Sequence, residues 1–150
     1  MNMLTYKKII KLFFIVLLVQ LINGYIFNYL NLNFFKLEHK VFDERPHEEL
    51  ILFMVVIGPI IETLFFQLFL YRLLNRLGIK NELISIILMA FVFSQLHWYH
   101  WLYVVATFVN GLFLNYFYVN SYKIKNERIA VLLTIVLHST YNLYGVLFVY

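Results

Sequence analysis

The sequence predicts an all-α fold, a polytopic bundle of transmembrane helices with about five spans. Of its 150 residues, 63% are hydrophobic and only 13% are charged, against about 25% charged in soluble domains. The apolar residues gather into long stretches, and about 20 such residues make one membrane span. The chain has no cysteine, which excludes a disulfide framework and a thiolate nucleophile.

This composition also limits the classes of function. It excludes a disordered chain, a coiled coil and a basic domain that binds nucleic acid. Because the connections between the apolar stretches are short, little room is left for a domain outside the membrane. We therefore expect the chemistry to take place inside or at the edge of the bilayer, with membrane lipids as neighbours.

Five apolar stretches predict the spans in order, over residues 9–30, 50–74, 83–98, 101–119 and 129–150. The first follows Lys7 and Lys8 without a small-residue cleavage site, so we expect an uncleaved anchor. The third is short, rising only about 24 Å against a hydrocarbon core of about 30 Å. Residues 1–49 then form the N-terminal anchor with an outer loop, and residues 50–150 form a four-helix catalytic core.

The basic residues predict the orientation of the spans. With five spans, nine of the twelve Lys and Arg residues fall on one side, and Lys36, Lys40 and Arg45 fall on the other. Loops rich in Lys and Arg stay in the cytoplasm. We therefore expect the N-terminus in the cytoplasm and the C-terminus outside.

Four polar side chains stand out inside the predicted spans, namely Glu62, His97, His138 and Asn142. An ionisable group there costs roughly 2.5–3.5 kcal/mol and needs a partner or a cavity. Asn142 follows His138 by four residues, which puts both on one helix face. Glu62 and His138 each lie ten residues from an Arg on the cytoplasmic side, so both are roughly 15 Å deep. The same count puts His97 about 7 Å further out. Helix tilt, or a third span whose outer end lies below the membrane surface, would close this gap.

Several kinds of chemistry fit this set of side chains. Glu62, His97 and His138 can hold a divalent metal such as zinc, with an open position for water. Alternatively, Glu62 acts as a general base on water while His and Asn side chains stabilise the oxyanion. A proton relay and a polar cluster that only fixes helix packing are further interpretations. Gly58 and Pro59 predict a kink that opens a pocket beside Glu62.

Three short motifs resemble those of the CPBP (Abi) family, the intramembrane metalloproteases related to the type II CAAX prenyl endopeptidases. The first covers residues 58–67 (GPIIETLFFQ), the second is the Phe-x-x-x-His segment 93–97, and the third is the His-x-x-x-Asn segment 138–142. Their order, spacing and placement on successive apolar stretches agree with the family. The resemblance covers the last four predicted spans and not the first span or its loop.

The resemblance implies an intramembrane endopeptidase that hydrolyses a peptide bond in or near the bilayer. It implies that Glu62 activates water, that His97 and His138 hold a metal or polarise the scissile carbonyl, and that Asn142 donates to the oxyanion. The partner is then a peptide or membrane-protein substrate and not a nucleic acid. Bacterial relatives act in bacteriocin self-immunity and peptide maturation, which indicates a bacterial cell (inner) membrane protein.

The first motif departs from the family pattern at two positions. The family has a second Glu where this chain has Thr63, and an Arg where this chain has Gln67. The loss of these two charges leaves an alternative open. In it, the protein is catalytically weak or inactive and binds peptides or bacteriocin-related partners in self-immunity.

Overall fold

The fold is an all-helical bundle, as a computed structural model of residues 3–37 and 47–148 shows. These residues form five helices and no strand, which confirms the predicted fold class. Helix α1 covers Met3–Leu30 and continues as the π-helical segment Asn31–Phe35, so it runs past its predicted end at residue 30. Part of the predicted outer loop, residues 38–46, lies outside the described residues.

Helix α2 covers residues 47–76 and alternates between two helical geometries. Its α-helical segments are His47–Ile51, Gly58–Glu62 and Leu70–Arg76, and its π-helical segments are Leu52–Ile57 and Thr63–Phe69. Pro59 has no N–H to donate and its ring crowds the carbonyl four residues earlier. The wider π-helical turn directly before it absorbs both effects. The sequence predicts a kink at Gly58 and Pro59, and the structure has π-helical turns on both sides of the short α-helical segment that contains them.

Helix α3 covers Glu82–Gln95, α4 covers Trp101–Ile124 and α5 covers Glu127–Phe148. Each is preceded by a residue whose side chain accepts a hydrogen bond from the backbone N–H three residues later, which satisfies a donor that the helix itself leaves free. These residues are Asn81, His100 and Asn126, with distances of 3.2, 3.1 and 3.0 Å. Helix α2 ends before Gly78, whose positive φ of 84° is the backbone conformation that favours glycine.

Four segments within the described residues are long and apolar enough to cross a membrane, and they are Leu4–Phe35, Leu52–Arg76, Trp101–Ile124 and Glu127–Phe148. Helix α3 is also apolar, but its 14 residues rise only about 21 Å. Large apolar side chains point outward from the bundle, among them Phe14, Leu18, Phe91 and Leu132, each more than half exposed. A soluble surface avoids such a density of apolar groups. The outward face is therefore suited to lipid.

The sequence places the end of the third span at residue 98, and this prediction is wrong. Helix α3 ends at Gln95, and His97 lies in the turn before α4 rather than on a helix. In a continuing α-helix the carbonyl of Phe93 would accept the N–H of His97. Instead this carbonyl lies 2.9 Å from Nδ1 of the His97 ring, while the His97 N–H donates to Ser94 at 3.0 Å. The imidazole thus competes with the helix for the same acceptor.

Helix α4 lies at the centre of the bundle and packs against α1, α3 and α5. Phe117, Tyr118 and Val119 on α4 are fully buried. At Gly111, an added Cβ would lie 3.3 Å from the Cα of Ala90, so these two small residues let α3 and α4 approach closely. This packing holds α3, and with it the His97 turn, against α4.

Two ion pairs join helix ends at one end of the bundle. Arg72 on α2 pairs with Glu127 on α5 through an Nε–Oε2 bond of 2.7 Å, and Lys123 on α4 pairs with Glu82 on α3 at 2.9 Å. All of these side chains belong to the end of the bundle where the sequence collects most basic residues. The contacts therefore bring the end of α2, the start of α3, the end of α4 and the start of α5 together at one end of the bundle.

Candidate active site

Glu62 is placed by the irregular middle of α2. It is the last residue of the α-helical segment Gly58–Glu62, and a π-helical segment follows it directly. Gly58 is required there, because an added Cβ would lie 2.8 Å from the carbonyl oxygen of Phe53 and 3.7 Å from Oε1 of Glu62. π-Helical turns are frequent at functional sites. Here they set the direction in which the Glu62 carboxylate leaves the helix.

Glu62 and His138 form the centre of the site. Nε2 of His138 lies 3.5 Å from Oε2 of Glu62, as the equal depth counted from the sequence predicts. The His138 side chain is 6% exposed and the Glu62 side chain 29% exposed. This distance is longer than a normal N–H···O hydrogen bond of about 2.7–3.2 Å. The two groups therefore form an electrostatic contact rather than a hydrogen bond, and the carboxylate is the more exposed of the two.

The two predicted histidines share one aromatic neighbour. The Phe93 ring centroid lies 4.6 Å from that of His97 and 6.0 Å from that of His138. Together with the His97–Phe93 hydrogen bond described above, this contact holds the His97 ring at the end of α3. Phe93 is itself buried, so it forms a fixed wall between the two imidazoles.

Asn142 lies one helical turn beyond His138 on α5. Its Nδ2 donates to the carbonyl oxygen of Met54 on α2, at 2.7 Å. Met54 belongs to the π-helical segment Leu52–Ile57, where carbonyls are displaced from the usual α-helical pairing. This bond orients the amide and leaves its second hydrogen for another acceptor.

All four predicted site residues line one cavity of about 490 Å³. The sequence did not single out three further polar residues of its wall, which are Tyr103, Thr107 and Asn110 on α4. A signal for two of them was available, because Thr107 and Asn110 are polar residues three positions apart in an apolar stretch. The Met54 carbonyl could not be found in this way, since every residue has one.

The predicted metal ligands do not form a three-ligand cluster. Among residues 3–37 and 47–148, no three His, Asp or Glu side chains are close enough to hold a metal ion together. His97 does have one feature of a metal ligand, since such histidines commonly donate their other ring N–H to a backbone carbonyl. A three-ligand site would therefore require a different arrangement of Glu62, His97 and His138.

The two positions that depart from the family motif lie in the core. Thr63 and Gln67 are fully buried and do not line the cavity. Nε2 of Gln67 donates to Oδ1 of Asn115 on α4 at 2.8 Å, and Nδ2 of Asn115 lies 3.4 Å from the carbonyl of Ile86 on α3. A neutral network therefore joins three helices next to the site.

Comparison with known proteins identifies one family. The model of the family described as "Type II CAAX prenyl endopeptidase Rce1-like" matches residues 49–144, more than half of the chain. This range contains all three motifs and all four predicted site residues. No curated protein and no solved structure matches the chain. In agreement with the resemblance of its motifs to the CPBP family, the chain belongs to the Rce1-like family of type II CAAX prenyl endopeptidases.

Proposed function

We propose that this protein is an intramembrane endopeptidase that hydrolyses a peptide bond with water activated by Glu62. The observation that carries the proposal is the Glu62–His138 contact of 3.5 Å in the wall of a cavity that His97 and Asn142 also line. Membership of a CAAX endopeptidase family supports the reaction class. The substrate is a peptide or membrane protein that reaches the cavity from the bilayer or from its outer face.

The first step is attack by water. Glu62 accepts a proton from a water molecule as the water oxygen forms a bond to the carbonyl carbon of the substrate. His138 lies against the carboxylate on its buried side, so the carboxylate stays directed at the cavity. The tetrahedral carbon then carries a negative oxygen that needs a hydrogen-bond donor.

Asn142 is the donor that we assign to this oxygen. One amide hydrogen is held by the Met54 carbonyl and the other is available to the oxyanion. The C–N bond then breaks, and the leaving amine takes the proton that Glu62 accepted, which restores the carboxylate. His97 lines the same cavity and, when protonated, donates to the same carbonyl oxygen.

The changed first motif does not remove any of these groups. In place of two charges it provides a neutral hydrogen bond from Nε2 of Gln67 to Oδ1 of Asn115, which avoids the desolvation cost of a buried charge. Thr63 and Gln67 occupy the core beside Glu62 without a charge.

The neutral core motivates the second candidate function, in which the cavity binds a peptide or bacteriocin-related partner without cleavage. If cells that carry the double substitution Glu62→Ala and His138→Ala remain protected against the bacteriocin, this second function is favoured.

We also propose that the protein resides in a bacterial cell (inner) membrane with its N-terminus in the cytoplasm. The end of the bundle that carries Arg72 and Lys123 is then cytoplasmic, because basic loops stay on that side. The His97 turn lies at the opposite end of α3 and faces the outside.

Cleavage of a membrane peptide by the purified protein tests the proposed function. We expect Glu62→Gln to abolish cleavage, while Glu82→Gln, which changes an exposed carboxylate at the cytoplasmic end, leaves it intact. Asn142→Ala removes an oxyanion donor and should lower turnover by about 10²–10³-fold. Its control is Asn120→Ala, because the Asn120 amide donates to a carbonyl of its own helix. Full activity of Glu62→Gln would exclude the general-base role.

A further inference from the structure

Helix α2 forms a continuous wall of the site cavity from its first turn down to Glu62. Four of its residues line the cavity at intervals of four positions, which is the spacing of one helix face, and they are Glu49, Phe53, Ile57 and Ile61. Phe53 is 48% exposed and Ile61 is 60% exposed, so this face remains partly open. An extended peptide can therefore lie along α2, with one part at Glu49 and another at Glu62.

The formal charges in the cavity wall are all negative. Among the described residues that line it, Glu49 and Glu62 are the only ones of the Asp, Glu, Lys and Arg types. A cavity that carries charge of one sign attracts groups of the opposite sign. An ammonium group at the depth of Glu62 would carry the cost of a charge inside the membrane. At Glu49, which is exposed, the same group stays in contact with water.

The Glu49 carboxylate is available for such a group. No ion pair joins it to a Lys or Arg residue in the part of the chain that the structure describes. It lies at the end of α2 opposite to Arg72, where the cavity opens. The neighbouring Glu48 is also exposed but does not line the cavity, so the chain itself offers a matched comparison.

The distance between the two carboxylates fixes which substrate residue would reach Glu49. Glu49 precedes Glu62 by thirteen residues, which corresponds to about 20 Å along a helix. An extended peptide covers about 3.3–3.6 Å per residue. The substrate residue beside Glu49 is then about five or six positions from the bond at Glu62.

We infer that Glu49 is a specificity-determining residue, which binds a Lys or Arg side chain of the substrate five or six positions from the scissile bond. The inference rests on the proposed endopeptidase function. Because the contact lies at the exposed end of the cavity, it gives a moderate preference that salt weakens.

Peptides that carry a single Lys at successive positions test the inference. All are acetylated at the N-terminus and amidated at the C-terminus, so that the Lys side chain is the only cation, and each is compared with the same peptide carrying Gln. Mass spectrometry locates the cleaved bond. We expect the wild type to show about threefold higher kcat/KM for Lys than for Gln at five or six positions on one side of that bond. Salt at about 1 M should remove the preference by screening.

Variants of Glu49 show whether this carboxylate is responsible. Glu49→Gln should remove the preference for Lys, and Glu49→Lys should replace it by a preference for Glu at the same position. Both change an exposed side chain, so the fold is retained. The control Glu48→Lys should keep the wild-type preference. A preference at a different spacing, or one that survives in both Glu49 variants, overturns the inference.

Binding measurements separate this inference from the proposed function. Cleavage without any preference for Lys overturns the inference and leaves the endopeptidase function standing. If the wild type cleaves none of the peptides, their fluorescently labelled forms are titrated with the purified protein. About threefold tighter binding of one Lys peptide than of its Gln counterpart, lost in Glu49→Lys and kept in Glu48→Lys, supports recognition by Glu49 even without cleavage. Equal affinities, or no binding, overturn it.

Discussion

Each of the four predicted site residues contacts a polar group of the protein. Without water, a polar group at membrane depth must find its partner within the protein. Glu62 and His138 face each other, His97 bonds to the Phe93 carbonyl and Asn142 bonds to the Met54 carbonyl. Two of the four are thus oriented by backbone atoms. The orientation of His97 and Asn142 consequently depends on where α2 and α3 depart from regular α-helix.

Metal binding would depend on three individual side chains. Glu62, His97 and His138 are the proposed ligands of a divalent ion, with zinc as the candidate. If they bind it, detergent-purified wild type should contain about one metal ion per chain, and His97→Ala and His138→Ala should each lose it. His100→Ala is the matched control, because its ring caps α4. Equal metal content in all four proteins would exclude these ligands.

At the scale of elements, α2 does the most to shape the site. Its two π-helical segments flank the residues from Gly58 to Glu62. One of them frees the Met54 carbonyl for Asn142, and the other begins immediately after Glu62. A regular α-helix through this region would carry its carbonyls in paired i to i−4 bonds and give Asn142 a poorer acceptor. The irregular geometry is therefore part of the site.

The neutral network of Gln67 and Asn115 gives a prediction about helix packing. Gln67→Leu and Asn115→Leu each leave one buried amide without its partner, so each should lower the free energy of unfolding by about 1–3 kcal/mol. The double variant should lose less than the sum of the two. Interhelical hydrogen bonds in membranes give coupling energies of about 0.6 kcal/mol on average and at most about 1.7 kcal/mol.

Reversible unfolding in mixed micelles measures these free energies. Phe69→Leu, an exposed change on the same π-helical segment, is the control and should have little effect. Additive losses in the double variant would show that the Gln67–Asn115 contact does not contribute to stability. Restoring the family residue alone, as Gln67→Arg, should destabilise more than Gln67→Leu, because an unpaired charge would be buried.

At the scale of the whole molecule, contacts between helix ends agree with the predicted charge sorting. Nζ of Lys125 lies 5.0 Å from the ring centroid of Tyr6, which brings the start of α1 to the end where α4 meets α5. The Arg72–Glu127 pair brings the end of α2 there as well. The ends with the most basic residues therefore form one surface.

Labelling of single cysteines tests the orientation of this bundle. The chain has no cysteine of its own, so one can be introduced at any position. Lys80→Cys lies between α2 and α3 and should react with a membrane-impermeant thiol reagent only in permeabilised bacterial cells. Trp98→Cys, in the exposed turn before α4, should react in intact cells. Leu18→Cys on the lipid-facing side of α1 is the control and should react in neither, and the reverse pattern for Lys80 and Trp98 would contradict the orientation.

The sequence by itself determined the all-α fold, four of the five predicted spans as helices long enough to cross a membrane, and the candidate residues of the site. Apolar stretches of span length follow from the hydrocarbon thickness, and the cost of polar groups inside them reduces the candidates to a few side chains. Counting along the helices was enough to predict that Glu62 and His138 lie at the same depth. The same cost singled out His97, and Asn142 followed from its spacing of four residues from His138.

Only the tertiary structure decided how these residues are held. The turn at His97, the Asn142 bond to the Met54 carbonyl and the position of Gln67 facing Asn115 depend on which helices pack together. A cavity of about 100 Å³ between α1 and α5 depends on the close approach of α1 to Tyr141 at Gly24. A local pattern such as apolar periodicity states which face of a helix is buried, but it does not contain the identity or the backbone geometry of the neighbouring helix. These contacts therefore could not be predicted from the sequence.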